Sequence, residues 1–424
     1  MSSGKPLSDG AKGADDRPKV FRRDQQPKPQ GRIDCEIKDT CGTCAFINSE
    51  YESSLDAKYQ KTIGTLKSTG LLDRCQVLPY HASPLPLFYR THAKVAVRPS
   101  ETPDTRFAIG LFKRGTHEVV DMDYCPLHKD SITRALKDLR SLLNESELTP
   151  YNESDRSGDV RYIAIRASHL TDEIMVTVVC TSDLSREVKA ILKKLKDLEH
   201  HVASGYLNIN SDEGNNIFGD DSRRLIGADR LRENLCGLQF EIGPTSFFQV
   251  NPWQADKIYR RVEQLAGAMP RGITAWDLYC GTGTMSMILA RSGYRVLGIE
   301  ENPQATRDAE SNVRRNEFPV TPNFMAGRVE DIAGDLPSWA VEPQLILANP
   351  SRRGMADQAL QTVGLSLAQQ DQGMFIYVSC EAETLIRDIE KLKKFNLSLR
   401  QIEAFDMFPY TEKLEWIAVL VRES

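Results

Sequence analysis

The sequence predicts an α/β protein in which a doubly wound parallel sheet follows a smaller α+β domain. From about residue 243, apolar strand patterns alternate with helical patterns, as in a parallel sheet that carries helices on both faces. The strands are expected at 275–279, 295–300, 345–348 and 374–378. No helical pattern separates the last two apolar segments, 397–406 and 414–422, so a terminal hairpin is expected there.

The smaller domain is expected between about residues 80 and 245. Its strand patterns lie at 89–97, 107–112, 118–122, 162–166 and 174–179. A glycine-bearing turn joins the second and third of these strands, which predicts a hairpin. One clear helix is expected at 185–198, where Ser185 can cap the amino terminus. Its lysines are spaced as on a solvated face, and this interpretation is favoured over a binding face.

Length and composition limit the class of protein. The 424 residues allow two or three domains, and the nine scattered cysteines favour thiol chemistry or metal binding over a disulfide framework. The net charge of −5 excludes a basic nucleic-acid coat but permits a local RNA-binding patch. No apolar run predicts a membrane span or a secretory signal. Residues 1–32, which are poor in apolar side chains, are expected to be a disordered tail.

Four cysteines form a candidate metal centre. Cys35, Cys41 and Cys44 lie within ten residues, and Cys125 follows much later, directly before a proline. Thiolates that are close in sequence can converge on one soft metal centre. The spacing alone suits zinc and an iron–sulfur cluster about equally.

A glycine-rich turn follows the first strand of the predicted parallel sheet. Gly281 and Gly283 allow a ligand to approach the backbone, Asp277 precedes the turn, and Glu300 ends the next strand, where a carboxylate can bind ribose hydroxyls. A dinucleotide would suit such a turn, but Ser286 occupies the place of the third glycine of that fingerprint. With Asn349 before a proline further on, S-adenosylmethionine fits better.

Cys380 and Glu415 make chemical sense as a pair. Cys380 ends a buried strand, at the edge of an α/β sheet where such sheets bind substrates. A thiolate that adds to carbon 6 of uracil makes carbon 5 nucleophilic, and a carboxylate can then remove the carbon 5 proton. By themselves, two residues 35 positions apart are more often a packing cysteine and a surface glutamate.

Six motifs resemble, in order and spacing, those of the RNA 5-methyluridine (uracil-C5) methyltransferases. They lie at 245–251, 277–283, 298–300, 349–354, 378–380 with Thr384 and Asp388, and 406–415. The resemblance covers about residues 33–424. The four cysteines are similar to those of the members that bear an iron–sulfur cluster, and the chain most resembles the 23S rRNA branch that has no TRAM domain ahead of the cluster.

The resemblance implies a fold and a role for each matching residue. The fold would be a class I Rossmann-like methyltransferase domain (47–78 and 245–424) with a smaller α+β central domain that carries the cluster and binds RNA (33–46 and 79–244). The implied roles are catalysis by Cys380 and Glu415, a [4Fe-4S] cluster on Cys35, Cys41, Cys44 and Cys125, donor binding by Gln249, Asp277, Gly281, Gly283, Glu300 and Asn349, and uracil binding by Phe247 and Gln249. Arg352 is a further candidate for substrate binding, since it can meet a phosphate; holding loops together is an equally good interpretation.

The chain departs from the family pattern near the proposed nucleophile. Glu381 stands where the family often has asparagine, Ser351 where a second proline is usual, and Lys413 where histidine is usual. A carboxylate that faced the thiol would raise its pKa. The side chain of Glu381 is therefore predicted to point away from Cys380.

We therefore expect a monomeric, cytoplasmic enzyme that uses S-adenosylmethionine to methylate carbon 5 of a looped or flipped uridine in 23S ribosomal RNA. No membrane and no obligate protein partner is expected. The alternatives are the same chemistry on tRNA, a non-catalytic RNA-binding protein that carries the cluster, and, more remotely, a dinucleotide oxidoreductase.

Overall fold

The structure, a computed structural model, describes residues 33, 35–198, 200–334 and 336–422. The predicted tail at 1–32 lies outside these residues. Within them, no helix combines the length and the apolar character that crossing a membrane requires. The amino-terminal elements are α1 (Lys38–Cys41), α2 (Tyr51–Ser68) and β1 (Gln76–Val77).

A seven-stranded sheet forms the core of the central region. Its elements are β2 (His92–Pro99), β3 (Phe107–Phe112), β4 (Val119–Asp121), α3 (Asp130–Asn144), β5 (Val160–Ala167), β6 (Ile174–Cys180), α4 (Ser185–Asp197), β7 (Val202–Ile209) and β8 (Asp221–Gly227). The strand order is β4-β3-β2-β5-β6-β7-β8, and α4 is the crossover between the parallel strands β6 and β7. Helices α3 and α4 pack their apolar faces on this sheet. A small hairpin follows, formed by β9 (Leu231–Leu235) and β10 (Leu238–Ile242).

The prediction of one clear helix in this region was wrong, because α3 precedes α4. The apolar residues of α3 recur at helical spacing, and Ile132, Leu136, Leu139 and Leu143 are buried. This period was present in the sequence. The predicted hairpin at 107–122 is confirmed as the antiparallel pair β3–β4.

The carboxyl-terminal region contains the predicted doubly wound sheet. Its elements are α5 (Pro252–Ala266), β11 (Thr274–Leu278), α6 (Thr284–Arg291), β12 (Arg295–Glu300), α7 (Pro303–Val313), β13 (Asn323–Ala326), β14 (Leu345–Ala348), α8 (Asp357–Ala368), β15 (Met374–Ser379), α9 (Ala382–Leu392), β16 (Leu397–Phe405) and β17 (Glu415–Arg422). The strand order is β1-β16-β17-β15-β14-β11-β12-β13. Strands β11 to β15 run parallel, and β17 is antiparallel to β15 and β16, which confirms the terminal hairpin.

The amino-terminal segment packs on this second sheet. Strand β1 extends the sheet by pairing with β16, and Leu55, Ile63 and Leu66 of α2 share a core with Trp276 of β11. Burying these apolar side chains stabilises the docking of α2 by removing their surface from water. Helix α2 and strand β1 therefore share a core and a sheet with the carboxyl-terminal region.

Candidate active site

A cavity of about 620 Å³ lies at the carboxyl ends of the parallel strands. This is the edge of an α/β sheet at which ligands bind. The cavity is lined by nine of the ten residues predicted for catalysis and for donor or substrate binding: Phe247, Gln249, Asp277, Gly281, Glu300, Asn349, Arg352, Cys380 and Glu415. The tenth, Gly283, does not line it. A Cβ at Gly283 would lie 2.8 Å from Phe324 and 2.9 Å from Ala309, so this glycine permits close packing behind the turn.

The turn after β11 is tied to the end of β12. The amide of Gly281 donates to Oε2 of Glu300 (2.9 Å), and the amide of Asn302 donates to Oε1 (2.9 Å). Gly281 has φ +54°, and the position of a Cβ there has nothing within 4 Å. The turn therefore presents bare backbone to the cavity, and the Glu300 carboxylate keeps lone pairs for a ligand.

Asp277 is buried beside Ser286. The hydroxyl of Ser286 donates to Oδ2 of Asp277 (2.6 Å), and a Cβ on Gly298 would lie 2.8 Å from the same hydroxyl. Burial raises the pKa of Asp277 to about 7, against the stabilisation of its charge by Ser286. Ser286 therefore has a structural role: its hydroxyl holds Asp277 against helix α6. From the sequence, Ser286 was notable only because it does not fit the dinucleotide fingerprint.

Sheet register brings Cys380 and Glu415 together. Ser379, the last residue of β15, is paired with Trp416 of β17, so the next residue, Cys380, meets Glu415, the first residue of β17. Glu415 is buried, which raises its pKa to about 8 while Arg352 lowers it. Burial and the neighbouring Glu415 raise the pKa of Cys380 to about 11, and Arg352 again opposes the shift. One guanidinium therefore favours the ionised form of both groups.

Glu381 does not line this cavity. Its carboxylate still raises the pKa of Cys380, so the prediction that its side chain points away from the thiol is not confirmed. Lys413 donates to Oε2 of Glu381 (2.5 Å), and both residues line a second cavity of about 300 Å³. Cys380 lines both cavities. Two of the three positions at which the chain departs from the family pattern, Glu381 and Lys413, are therefore in contact.

Phe247 stands at the mouth of the main cavity with 65% of its surface exposed. The residue before it, Ser246, is held on two sides: its hydroxyl donates to Asp308 of α7 (2.5 Å), and its carbonyl accepts from Arg166 of β5 (2.6 Å). An exposed aromatic ring on an anchored loop suits stacking on a flat ring. Gln249 bonds to the buried Tyr259, a residue that the sequence analysis did not identify.

The loop after β14 is fixed from α9. The hydroxyl of Thr384 donates to the carbonyl of Arg352 (3.3 Å), and Asp388, fully buried, accepts from the amide of Met355 (2.8 Å) and from the hydroxyl of Tyr377 (2.6 Å). These bonds set the backbone of the loop that carries Asn349 and Arg352. They account for Thr384 and Asp388, whose roles the sequence left open.

The loop before Glu415 is fixed by a buried lysine. Lys58 of α2, which is 1% exposed, pairs with Asp406 and donates to the carbonyls of Phe408 (3.2 Å) and Lys413 (3.2 Å). A buried ammonium needs such partners, because an unpaired charge is costly to bury. Nothing in the local sequence around Lys58 indicates this role, since its partners are about 350 residues away.

The four predicted ligand cysteines lie near one another, outside the main cavity. Cys35, Cys44 and Cys125 pack against a small apolar cluster that includes Ile47 and Tyr89. Burial, together with the thiols of Cys125, Cys41 and Cys35, raises the pKa of Cys44 to about 12. In the part of the chain that the structure describes, no three His, Cys, Asp or Glu side chains have the spacing of ligands around a single metal ion.

Comparison with known proteins agrees with this geometry. The sequence model of the family described as tRNA (Uracil-5-)-methyltransferase matches residues 50–423. An uncharacterized RNA methyltransferase of Enterococcus faecalis is 30% identical over 372 residues, which are 88% of this chain and 79% of that protein. One from Listeria monocytogenes is 30% identical over 389 residues, 91% of this chain and 83% of that one.

A solved structure shares the fold. The tRNA (uracil-54, C5)-methyltransferase of Pyrococcus abyssi, in complex with S-adenosyl-L-homocysteine, has a TM-score of 0.69 and 26% sequence identity. The similarity covers 88% of this chain and 84% of that chain. The match to the family model and the shared fold lead to one conclusion: the chain belongs to the tRNA (Uracil-5-)-methyltransferase family.

Proposed function

We propose that this protein transfers a methyl group from S-adenosylmethionine to carbon 5 of a uridine in RNA. The observation that carries the proposal is the cross-strand placement of Cys380 and Glu415 in one cavity with the glycine-rich turn after β11. A nucleophile, a carboxylate base and bare backbone for a donor are the parts that this reaction requires.

The two catalytic residues have successive tasks. The sulfur of Cys380 bonds to carbon 6 of uracil, and the electron pair of the 5,6 double bond makes carbon 5 nucleophilic. S-adenosylmethionine, when bound, supplies an electrophilic methyl group. Glu415 then takes the proton from carbon 5, the double bond forms again, and the thiolate leaves. Arg352, which favours both ionised forms, supports the first and the last step.

The ligand-binding residues fit a donor and a base. Gly281 and Glu300 would hold the donor, since a Cβ at Gly281 would occupy the open cradle and the Glu300 carboxylate can accept ribose hydroxyls. Asp277, which is buried in β11, and Asn349, which follows β14, line the same cavity. Phe247 would stack on the flipped uracil and Gln249 would bond to its edge.

We further propose that Cys35, Cys41, Cys44 and Cys125 ligate a [4Fe-4S] cluster. Four neighbouring thiols, three of which pack against a small apolar cluster, are a donor set that fits this group. When bound, the cluster would supply cross-links between α1, the turn after it and the loop at 125; zinc is the alternative occupant.

The substrate is proposed to be 23S ribosomal RNA. The four cysteines support it, because they match the cluster-bearing rRNA members. The same reaction on tRNA is the second candidate, favoured by the family description and by the tRNA substrate of the Pyrococcus abyssi protein. A non-catalytic RNA-binding protein is disfavoured, because the cavity retains the nucleophile, the base and the glycine-rich turn that the reaction requires.

Trapping on 5-fluorouridine tests the reaction. Anaerobically purified protein is mixed with S-adenosylmethionine and with 5-fluorouridine-substituted 23S rRNA or tRNA, and run on a denaturing gel. Fluorine cannot leave as a proton does, so an adduct should accumulate with one RNA. Cys380→Ala should abolish it, whereas Cys75→Ala, at a half-buried thiol outside the cavity, should not. No adduct with either RNA would overturn the proposal.

A further inference from the structure

Two loops that carry the proposed catalytic residues are joined by one ion pair. Glu381 directly follows Cys380, and Lys413 lies two residues before Glu415. The Nζ of Lys413 lies 2.5 Å from Oε2 of Glu381, and the side chains are 34% and 19% exposed. Partial burial strengthens such a pair relative to a fully exposed one.

We propose that Lys413 is a positioning residue that pairs with the Glu381 carboxylate in the second cavity and so compensates the negative charge beside the Cys380 sulfur. The inference rests on the proposed role of Cys380 as the nucleophile. It adds a residue that does not line the main cavity and acts through Glu381.

The backbone at Glu381 brings its charge close to the thiol. The amide of Glu381 donates to the hydroxyl of Ser379 (3.2 Å), and that hydroxyl is within 3.2 Å of the carbonyl of Glu381. These bonds form a tight turn around Cys380. The side chain of Glu381 therefore stays near the sulfur. Its direction determines how strongly its negative charge raises the pKa of the thiol.

Lys413 is itself held in place. Its carbonyl accepts from the buried Lys58 (3.2 Å), and its amide donates to the hydroxyl of Thr411 (3.2 Å). A lysine on a flexible loop would pay side-chain entropy to form an ion pair, whereas a fixed backbone reduces that cost. Because Lys58 fixes the backbone of Lys413, the ion pair with Glu381 forms at a lower cost in conformational entropy.

Three charged side chains near Cys380 act on the pKa of its thiol. Glu415 and Glu381 both raise the pKa of the thiol, and Arg352 lowers it. Burial raises the pKa of Glu415 to about 8, and Arg352 opposes the shift. Despite partial burial, Lys413 and Glu383 hold the pKa of Glu381 below its usual range, which makes Glu381 the ionised carboxylate beside the sulfur. Glu383 shares a hydrogen bond with it, which raises the pKa of Glu383.

Alkylation of the thiol tests the proposal without RNA or donor. The rate at which iodoacetamide modifies Cys380 is followed against pH by peptide-resolved mass spectrometry, which separates it from the other cysteines. Lys413→Met should raise the apparent pKa of Cys380 by about half a unit or more, because the Glu381 charge loses its partner. Glu381→Gln should lower it.

The double variant and two controls complete the test. In Glu381→Gln/Lys413→Met, the apparent pKa should match that of Glu381→Gln alone, since no carboxylate remains to be held. Lys413→Arg should behave as wild type. Lys61→Met, in the same second cavity but paired with Glu412, should also leave the pKa unchanged.

An unchanged pKa in folded Lys413→Met would overturn the inference, as would a rise that persists in the double variant. If Lys413→Met does not fold, Glu381→Gln decides, because an unchanged or higher pKa in that variant contradicts the proposal. The predicted shifts together with no adduct on 5-fluorouridine RNA would leave the ion pair in place and overturn the methyltransferase proposal instead.

Discussion

The thiol of Cys380 and the four predicted ligand thiols differ in what surrounds them. Cys380 follows the end of β15, beside the carboxyl groups of Glu415 and Glu381 and the guanidinium of Arg352. Cys44 lies among three other thiols, with Arg90 as the cation that lowers its pKa. Burial is the largest cause of the raised pKa in both places. Since burial acts on both thiols, the proposed nucleophile differs from the proposed metal ligand in its neighbours: charged side chains surround Cys380, whereas other thiols surround Cys44.

Glu415→Gln should give the largest effect and test the active-site half of the comparison. Losing a general base costs about 10² to 10⁴ in rate. Because Cys380 remains, the methylated covalent intermediate should accumulate on ordinary uridine RNA, as a protein–RNA band on a denaturing gel. The control is Glu412→Gln, a carboxyl on the same loop that pairs with Lys61 and does not line the main cavity. Lost methylation without such a band would remove Glu415 from the role of base.

Cys44→Ser tests the proposed ligand cysteines, which are the other side of the comparison. Loss of one proposed ligand should remove the visible absorbance of a cluster and lower the unfolding stability by about 2 kcal/mol or more, about 5 °C in Tm. Binding of S-adenosylmethionine, measured by calorimetry, should persist, because Cys44 does not line the donor cavity. Cys180→Ser, at a buried thiol of the central sheet, is the comparison for a purely structural loss. Wild-type protein with neither visible absorbance nor bound zinc would contradict the ligand assignment.

Arg352→Gln tests the cation beside Cys380, which in the comparison corresponds to Arg90 beside Cys44. Arg352 lowers the pKa of both Cys380 and Glu415, so its loss should shift the pH–rate profile of methylation upward by about half a unit to one unit. Arg353→Gln is the matched control, since Arg353 is the next residue and does not line the cavity. An unchanged profile with a higher KM for RNA would assign Arg352 to phosphate binding instead.

The smallest expected effect concerns stability and pH. The pKa of Glu415 rises from 4.5 to about 8 in the folded protein, so its contribution to stability is full below about pH 4.5 and is lost as the pH rises through about 8. Glu415→Gln carries no charge. Relative to wild type it should therefore gain about 1 kcal/mol or more between pH 5 and pH 9, measured by urea unfolding at both values. An equal difference at the two pH values would show that Glu415 titrates normally.

The sequence predicted the parts of the fold that depend on local pattern. The apolar strands at 275–279 and 374–378 were predictable because both faces of a central parallel strand are buried. Helix α3 was missed although Ile132 and Leu139 show its period. The nine predicted residues around the cavity came from motifs, which carry information that periodicity does not.

Other features depend on contacts between distant segments. The meeting of Cys380 and Glu415 follows from the register of β15 against β17, which no local pattern determines. The pair of Glu381 and Lys413, and the bond from Ser286 to Asp277, depend on side-chain directions within loops. Tyr259 gave no signal, because a tyrosine on an amphipathic helix is typical of any core.

The pairing of Lys58 with Asp406, 348 positions away, also has a consequence for biosynthesis. Ribosomes make α2 early, yet its ammonium has no acceptor and β1 has no neighbouring strand until translation has passed β16. Such long-range closure slows folding and leaves apolar surface exposed in the nascent chain. The catalytic cavity is therefore assembled only after translation has reached β17, and until then the apolar face of α2 lacks part of the sheet that covers it.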